Sequence, residues 1–394
     1  MAIWGVYIWA IATPGLRDRN GNLKGTDFLH FYTLGSLAIE HHGAALYDMN
    51  AQAAIAALRV PEAAGIRYLP LYPPQVSLLF VPFAHFSYAD ALALWWVLSV
   101  SLYAASCYGI WLVCPNLREY RGTVALLAIG FPAFFHLIAW GQTPALALSC
   151  FTAAFLCLRK QQNFWAGVFL GLLVFKPQLG IASAVVFLSL RAWRVVAGAV
   201  VGAAAELLIG VLYYGRQPLL AWVNALWSVR EMTNALEPRP YQTHCLRTFW
   251  SMLVPWSSVS LGLYAITAGV VLAWTIQVWR RSRDWGPRFS ALLLSTVLVS
   301  PHLTVYDLVI LAPAFLLLAD WLLGRKPSSK PSSMGVLVYL VYLLPLVGFV
   351  SRWTHVQLSV VAMMILAYQI WKTSRTEENV QNSSLFEKAG VAEV

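Results

Sequence analysis

The sequence predicts an all-α, polytopic membrane protein, and three observations carry that reading. Of its 394 residues, 59% are hydrophobic and only 11% charged. The mean hydropathy is +0.64. The chain also contains about twelve apolar runs that approach the roughly 20 residues needed to cross about 30 Å of hydrocarbon as a helix. Soluble globular chains sit nearer 45–50% apolar and about 25% charged, so a cytosolic enzyme and a disordered protein are both excluded. The net charge of +10 orients loops in this class rather than binding nucleic acid, and no nucleic-acid partner is expected.

The runs are centred near Val6, Ser99, Leu127, Leu148, Leu170, Phe187, Glu206, Ala268, Leu294, Phe315, Val341 and Met363. The first, residues 1–14, is short. It ends in Ala10-Ile11-Ala12, like a signal-cleavage tripeptide, but lacks a positive n-region and reads as an anchoring helix. Short loops bearing Arg118, Arg159, Lys160, Arg191, Arg281 and Arg325 fall on one side, which predicts an N-in, C-in orientation. Two long loops, about residues 15–90 and 215–256, then lie outside. The first carries apolar stretches at 28–39 and 51–58 that are too short to span and read as amphipathic helices on the membrane surface. Residues 1–371 are expected to form one transmembrane domain, and 372–394 a polar, disordered, cytoplasmic tail. Cys107, Cys114, Cys150, Cys157 and Cys245 form no C-x-x-C pair and read as small apolar residues.

The polar residues and proline-bounded motifs that stand out all fall on the outer side of this topology. They are Asp27, Asp48 and Tyr72-Pro73-Pro74 in the first long loop, Gly141-Gln142 and Lys176-Pro177 at short turns, His244 and Arg247 in the second long loop, and Ser300-Pro301-His302 with Tyr306-Asp307 at a further turn. Loops joining packed spans converge, so a shared site is expected there.

Each residue also has a plainer reading. Asp27 is equally a general base or a helix N-cap, and Asp48 fits a cap better. Lys176 is either a lysine snorkelling to the headgroups or a phosphate contact. Gln142 could serve a ligand oxygen or only a polar turn, and Tyr72-Pro73-Pro74 stiffens a loop. His302 could meet a phosphate or shuttle a proton, or be a structural hydrogen-bonded histidine. Asp307, inside an apolar run, calls for a partner such as Lys176 or His302, while Glu206 suggests only a helix-packing contact. His41-His42 with Asp48 is a poor metal set, because adjacent helical positions point about 100° apart. No Walker loop, G-x-G-x-x-G, H-E-x-x-H or D-x-D occurs, so no cofactor is indicated, and a divalent metal is neither called for nor excluded.

Taken in order, Asp27-Phe28 with Phe31-Tyr32, Ala45-Leu46-Tyr47-Asp48, Leu71-Tyr72-Pro73-Pro74, Gly141-Gln142, Lys176-Pro177-Gln178 and Ser300-Pro301-His302 through Tyr306-Asp307-Leu308 resemble the motif string of glycosyltransferase family 87. The order of the motifs carries the resemblance more than any one of them. It implies a GT-C fold and an enzyme that takes a sugar, mannose or a relative, from a polyprenyl-phosphate carrier and passes it to a lipid or glycan acceptor outside the cytoplasmic membrane. Asp27 matches the catalytic aspartate position, and Lys176 and Gln142 match positions expected near the donor. His302 stands where many relatives carry an aromatic residue, whereas Asp307 follows the pattern. The resemblance further implies inverting transfer, with Asp27 as base and Lys176, helped by His302 or Arg247, on the leaving phosphate. The competing reading is a lipid-sugar transporter or flippase without transfer chemistry, which would place its polar residues along a midplane path in two similar halves.

Overall fold

The computed structural model describes residues 2–228, 237, 239–325 and 333–390, with side chains as far as 376. Among these the regular structure is helical, and the only β pairings are isolated bridges between Arg17 and Leu23 and between Thr243 and Thr304. Every expected span centre falls within a helix. By length and apolarity, however, five helices among the described residues can cross a membrane: Tyr88–Trp111, Trp193–Tyr214, Ser257–Arg281, Val305–Leu323 and Ser333–Thr354. The bent pair Pro115–Gly130 and Pro132–Trp140, turned by 45°, makes a sixth. Leu212, Ile266 and Val97 project from these helices with 76%, 65% and 65% of their surface exposed, as lipid-facing residues do.

The expectation of about twelve full spans is therefore not carried by helix length, because proline and glycine cut several apolar runs into shorter pieces. Pro132 has no N–H with which to continue the preceding helix, and Phe131 before it is extended. Asn163–Gly171 tightens into a 3-10 turn, Leu172–Phe175, and stops at Lys176. There Pro177 keeps Lys176 out of the helical region (φ −133°, ψ 74°), and the chain resumes as Pro177–Gly180 and Ile181–Ser189.

One further expectation is corrected. The helix Thr26–Ile39 does not lie on a surface: every residue from 28 to 38 is buried. A helix buried on every side belongs in a core, and this one packs on the short helices Gln75–Leu79 and Val81–Ala84. The second stretch, Met49–Arg59, is sided, with Gln52 and Ala56 buried and Asp48 capping it by accepting from the backbone of Asn50 and Ala51. The last helix has the bounds Leu358–Gly390, so the expected tail from residue 372 overlaps its end, and residues 391–394 lie outside the described part.

The innermost element is Trp285–Val299, buried without interruption from residue 289 to 299. It packs on Ser257–Arg281, Ala312–Leu323 and the last helix. The closest helix pair is Asn163–Gly171 on Trp193–Tyr214. A β-carbon added at Gly167 or Gly171 would stand 2.0 or 2.2 Å from the carbonyl oxygens of Val195 and Ala199. One added at Gly198 or Gly202 would stand 2.0 or 2.4 Å from those of Phe164 and Val168. Two facing G-x-x-x-G pairs thus bring backbone onto backbone, which is how small residues bind helices in lipid. This packing holds the rod that ends at Lys176.

Candidate active site

A cavity of about 1030 Å³ opens where the broken helices meet, and Asp27, Tyr72, Gln142, Lys176, His302, Tyr306 and Asp307 all line it. Positions from the first loop to the last turn are thus gathered around one volume.

Asp27 is not the cap of its helix. The cap is Gly25, in the left-handed region at φ 62°, and no side chain caps there. This leaves the Asp27 carboxylate free to accept from Gln142 Nε2 at 2.8 Å. The Gln142 oxygen takes the backbone N–H of Thr143 at 3.2 Å, which turns its amide toward Asp27. Gly141 makes the approach possible. Its φ is 70°, and a β-carbon there would lie 2.7 Å from that of Phe28, so glycine is needed both for the turn and for the contact. Trp95 Nε1 donates to the Gly141 carbonyl at 3.0 Å and fixes the turn from behind. Burial lifts the Asp27 pKa to about 6, against the Gln142 hydrogen bond and the positive charge of Lys176, while the charge of Asp307 adds to the rise.

Lys176 does not snorkel. It is buried, with its Nζ 2.7 Å from Asp307 Oδ1 and 5.3 Å from the centroid of the Tyr306 ring. Of the two partners that the sequence offered Asp307, it takes the lysine. Its other oxygen closes a capping box with the backbone and hydroxyl of Thr304, both at 3.2 Å, at the head of the 3-10 segment Val305–Leu311. The carboxylate therefore starts the segment and holds the cation together. Tyr72 stands opposite, its ring 4.9 Å from Phe31 and 5.7 Å from His30, and its carbonyl receives Tyr47 Oη at 3.0 Å.

His302 is held in the cavity wall by a residue outside the sequence motifs, Glu237. Its Nδ1 pairs with Glu237 Oε1 at 3.0 Å. Arg247 holds the same oxygen at 3.3 Å and the Pro301 carbonyl at 3.2 Å, and Thr248 donates to the other Glu237 oxygen at 2.9 Å. Arg247 is thus a brace behind the wall rather than part of it. His244 also stands outside the cavity. It is buried, its Nδ1 meets Ser359 Oγ at 2.6 Å, and its N–H donates to the Leu303 carbonyl at 2.9 Å. Burial, and the nearby His136, depress its pKa to about 3, so the ring is neutral, while the backbone N–H pins the His302 loop.

The wall also includes His30, Tyr68, Glu237 and Arg239, which the sequence reading did not single out. His30 could have been found from its place one helical turn after Asp27, on the same face. Glu237 offered only the sign of its charge beside Arg239 and Arg247. Glu206 is tied to Gln75 Nε2 at 3.1 Å, the packing contact expected for it. Among the described residues no group of three His, Cys, Asp or Glu is placed to hold a metal ion.

The sequence matches glycosyltransferase family 87 over residues 71–301, more than half of its length. The chain belongs to glycosyltransferase family 87. No curated protein and no solved structure matches it. Within the family match lie Tyr72, Gln142 and Lys176, whereas Asp27 precedes it and His302, Tyr306 and Asp307 follow it. The chain is thus a membrane glycosyltransferase by family, and its cavity gathers residues from inside and outside the matched segment.

Proposed function

We propose that this family 87 glycosyltransferase moves a sugar, mannose or a close relative, from a polyprenyl-phosphate carrier to a lipid or glycan acceptor, with inversion and with Asp27 as general base. The observation that carries this reading is the meeting, in one cavity, of a carboxylate with a pKa near 6 and a buried lysine. A base works best when its pKa lies close to the operating pH. In this reaction the acceptor hydroxyl gives its proton to Asp27 while its oxygen bonds to the anomeric carbon. The bond from that carbon to the phosphate oxygen breaks on the opposite face, and the polyprenyl phosphate leaves with the electron pair.

Negative charge then grows on the departing phosphate. Lys176 spends one of its three donors on Asp307, and the other two can meet the phosphate where that charge develops. His302, anchored through Nδ1 to Glu237, would serve the same purpose in its imidazolium form, in which the other ring nitrogen is also a donor. The isoprenoid chain needs an apolar exit. Phe175, Ile181 and Leu226 line the cavity, and Ile181 and Leu226 are each 37% exposed, so this wall forms the mouth toward lipid. The basic short loops support a cavity on the extracytoplasmic face.

The test uses purified protein in nanodiscs with labelled polyprenyl-phosphate mannose and a panel of lipid and glycan acceptors, wild type against Asp27→Asn. The expected result is transfer by the wild type and a loss of about 10²- to 10⁴-fold in the variant, the worth of one positioned base. Equal transfer by both would remove Asp27 from the role. Donor crossing a liposome membrane without transfer would favour the carrier reading.

A further inference from the structure

His30 is the most conspicuous polar side chain of the cavity that the chemistry above leaves unused. It is 4% exposed, it lines the cavity, and neither of its ring nitrogens makes a hydrogen bond. Its ring lies 4.9 Å from that of Tyr68 and 5.7 Å from that of Tyr72, both also in the wall. Tyr68 is itself committed, donating its hydroxyl to the Thr26 carbonyl at the start of the same helix. Two unpaired nitrogens on a buried ring are costly and uncommon, and although each has under 1 Å² of accessible surface, a turn of the ring toward the cavity would let a ligand satisfy them.

We infer that His30 binds a sugar hydroxyl in the cavity, one helical turn from Asp27, and so reads the sugar rather than the phosphate or the lipid. This rests on the proposed glycosyl transfer and deepens it. The chemistry of the imidazole selects the ligand. Desolvation lowers its pKa to about 3, so it is neutral and carries one donor and one acceptor. A phosphate oxyanion only accepts and would leave one nitrogen unmet. A hydroxyl, or a vicinal pair of them, both gives and takes. The cavity is thereby divided: the cation sits at Lys176, and the neutral aromatic corner of His30, Tyr68 and Tyr72 suits the polar rim and apolar face of a pyranose. A site built to pair a hydroxyl discriminates strongly against ligands that lack it. The hydroxyl could belong to the donor sugar or to a glycan acceptor, since the base beside His30 must face both.

Two arms separate these sources, using His30→Phe, which keeps an aromatic ring but loses both nitrogens, and His30→Gln, which keeps a donor and an acceptor. If the donor sugar is held, His30→Phe weakens binding of polyprenyl-phosphate mannose about tenfold and leaves binding of bare polyprenyl phosphate unchanged. If the acceptor is held, donor binding is unchanged and the acceptor KM rises about tenfold at similar kcat. In either case His30→Gln recovers most of the loss, which a packing role would not allow. Should the phenylalanine variant not fold, His30→Leu takes its place. Unchanged binding of polyprenyl-phosphate mannose together with unchanged acceptor KM overturns the inference while leaving glycosyl transfer intact. A wild type that binds the carrier but transfers nothing to any acceptor overturns the reading beneath it.

Discussion

The side-chain amide of Gln142 donates to the carboxylate of Asp27 over 2.8 Å, joining two positions 115 residues apart in the chain. That bond stabilises the ionised form and holds the Asp27 pKa below where burial alone would put it. Gln142→Ala removes the restraint. A hydrogen bond to a charged group is worth about 1.5–3 kcal/mol, so the acidic limb of the pH–rate profile is expected to move up from near 6 by about one to two units. Rates near pH 6.5 fall accordingly, and rates at pH 9 recover. A profile that keeps its midpoint would show that this bond does not tune the base.

The same carboxylate should cost stability. Its pKa rises from 3.8 to about 6 on folding, so the folded state holds the proton more tightly than the unfolded one. The stability this confers is complete below pH 4, is lost as the pH rises toward 6, and is then flat. At 1.36 kcal/mol per unit the loss is roughly 3 kcal/mol. Asp27→Asn, whose amide oxygen can still accept from Gln142, should therefore melt higher than the wild type above pH 6 and match it near pH 4. Thermal unfolding in detergent across that range checks it. A variant that melts lower at pH 7.5 would mean that the buried charge is better compensated than burial implies.

Lys176 and Asp307 form a buried pair at 2.7 Å, and breaking it differs from replacing it. Lys176→Met leaves a buried carboxylate without its cation, a change that typically costs 3–5 kcal/mol. The double variant Lys176→Met with Asp307→Asn removes both charges. It keeps a side chain able to cap Thr304, and most of the stability should return. Activity should not return, because the leaving phosphate then meets no ammonium. If the double variant were active, the pair would be structural only.

The sequence disclosed the helical membrane class and most of the cavity wall, because burial in lipid and proline-bounded turns leave local marks. Gly141-Gln142 and Lys176-Pro177 each announce a break in an apolar run, and the breaks are what meet at the cavity. Long-range pairings left no such mark. Nothing near Asp27 indicates that its side chain turns to Gln142 instead of capping its own helix, and Glu237 acquires meaning only when folding sets it beside His302 and Arg247. Residues 28–38 read as a surface helix because flanking charges suggested an interface, whereas the short helices around Val76 and Phe80 cover its other face. The count of about twelve spans goes beyond what helix length supports for a related reason. Composition measures how much apolar chain there is, but a single proline decides whether it crosses in one rod or in two.

Gly198 supplies a check on the packing that carries Lys176. Any β-carbon there meets the Phe164 carbonyl oxygen at 2.0 Å, a backbone atom that cannot swing aside. The two helices would have to separate, and Gly198→Ala is expected to destabilise the protein by about 1–3 kcal/mol, as overpacking does. Gly269, in the helix Ser257–Arg281, has nothing within 4 Å of the same added carbon, so Gly269→Ala should be neutral or slightly stabilising. Because Asn163–Gly171 leads through its 3-10 turn straight to Lys176, the loss at Gly198 should also lower kcat at temperatures where the protein is still folded. Paired melting curves and turnover measurements on the two alanine variants would reveal it, and equal behaviour of the two would mean that the close backbone contact is not what positions the lysine.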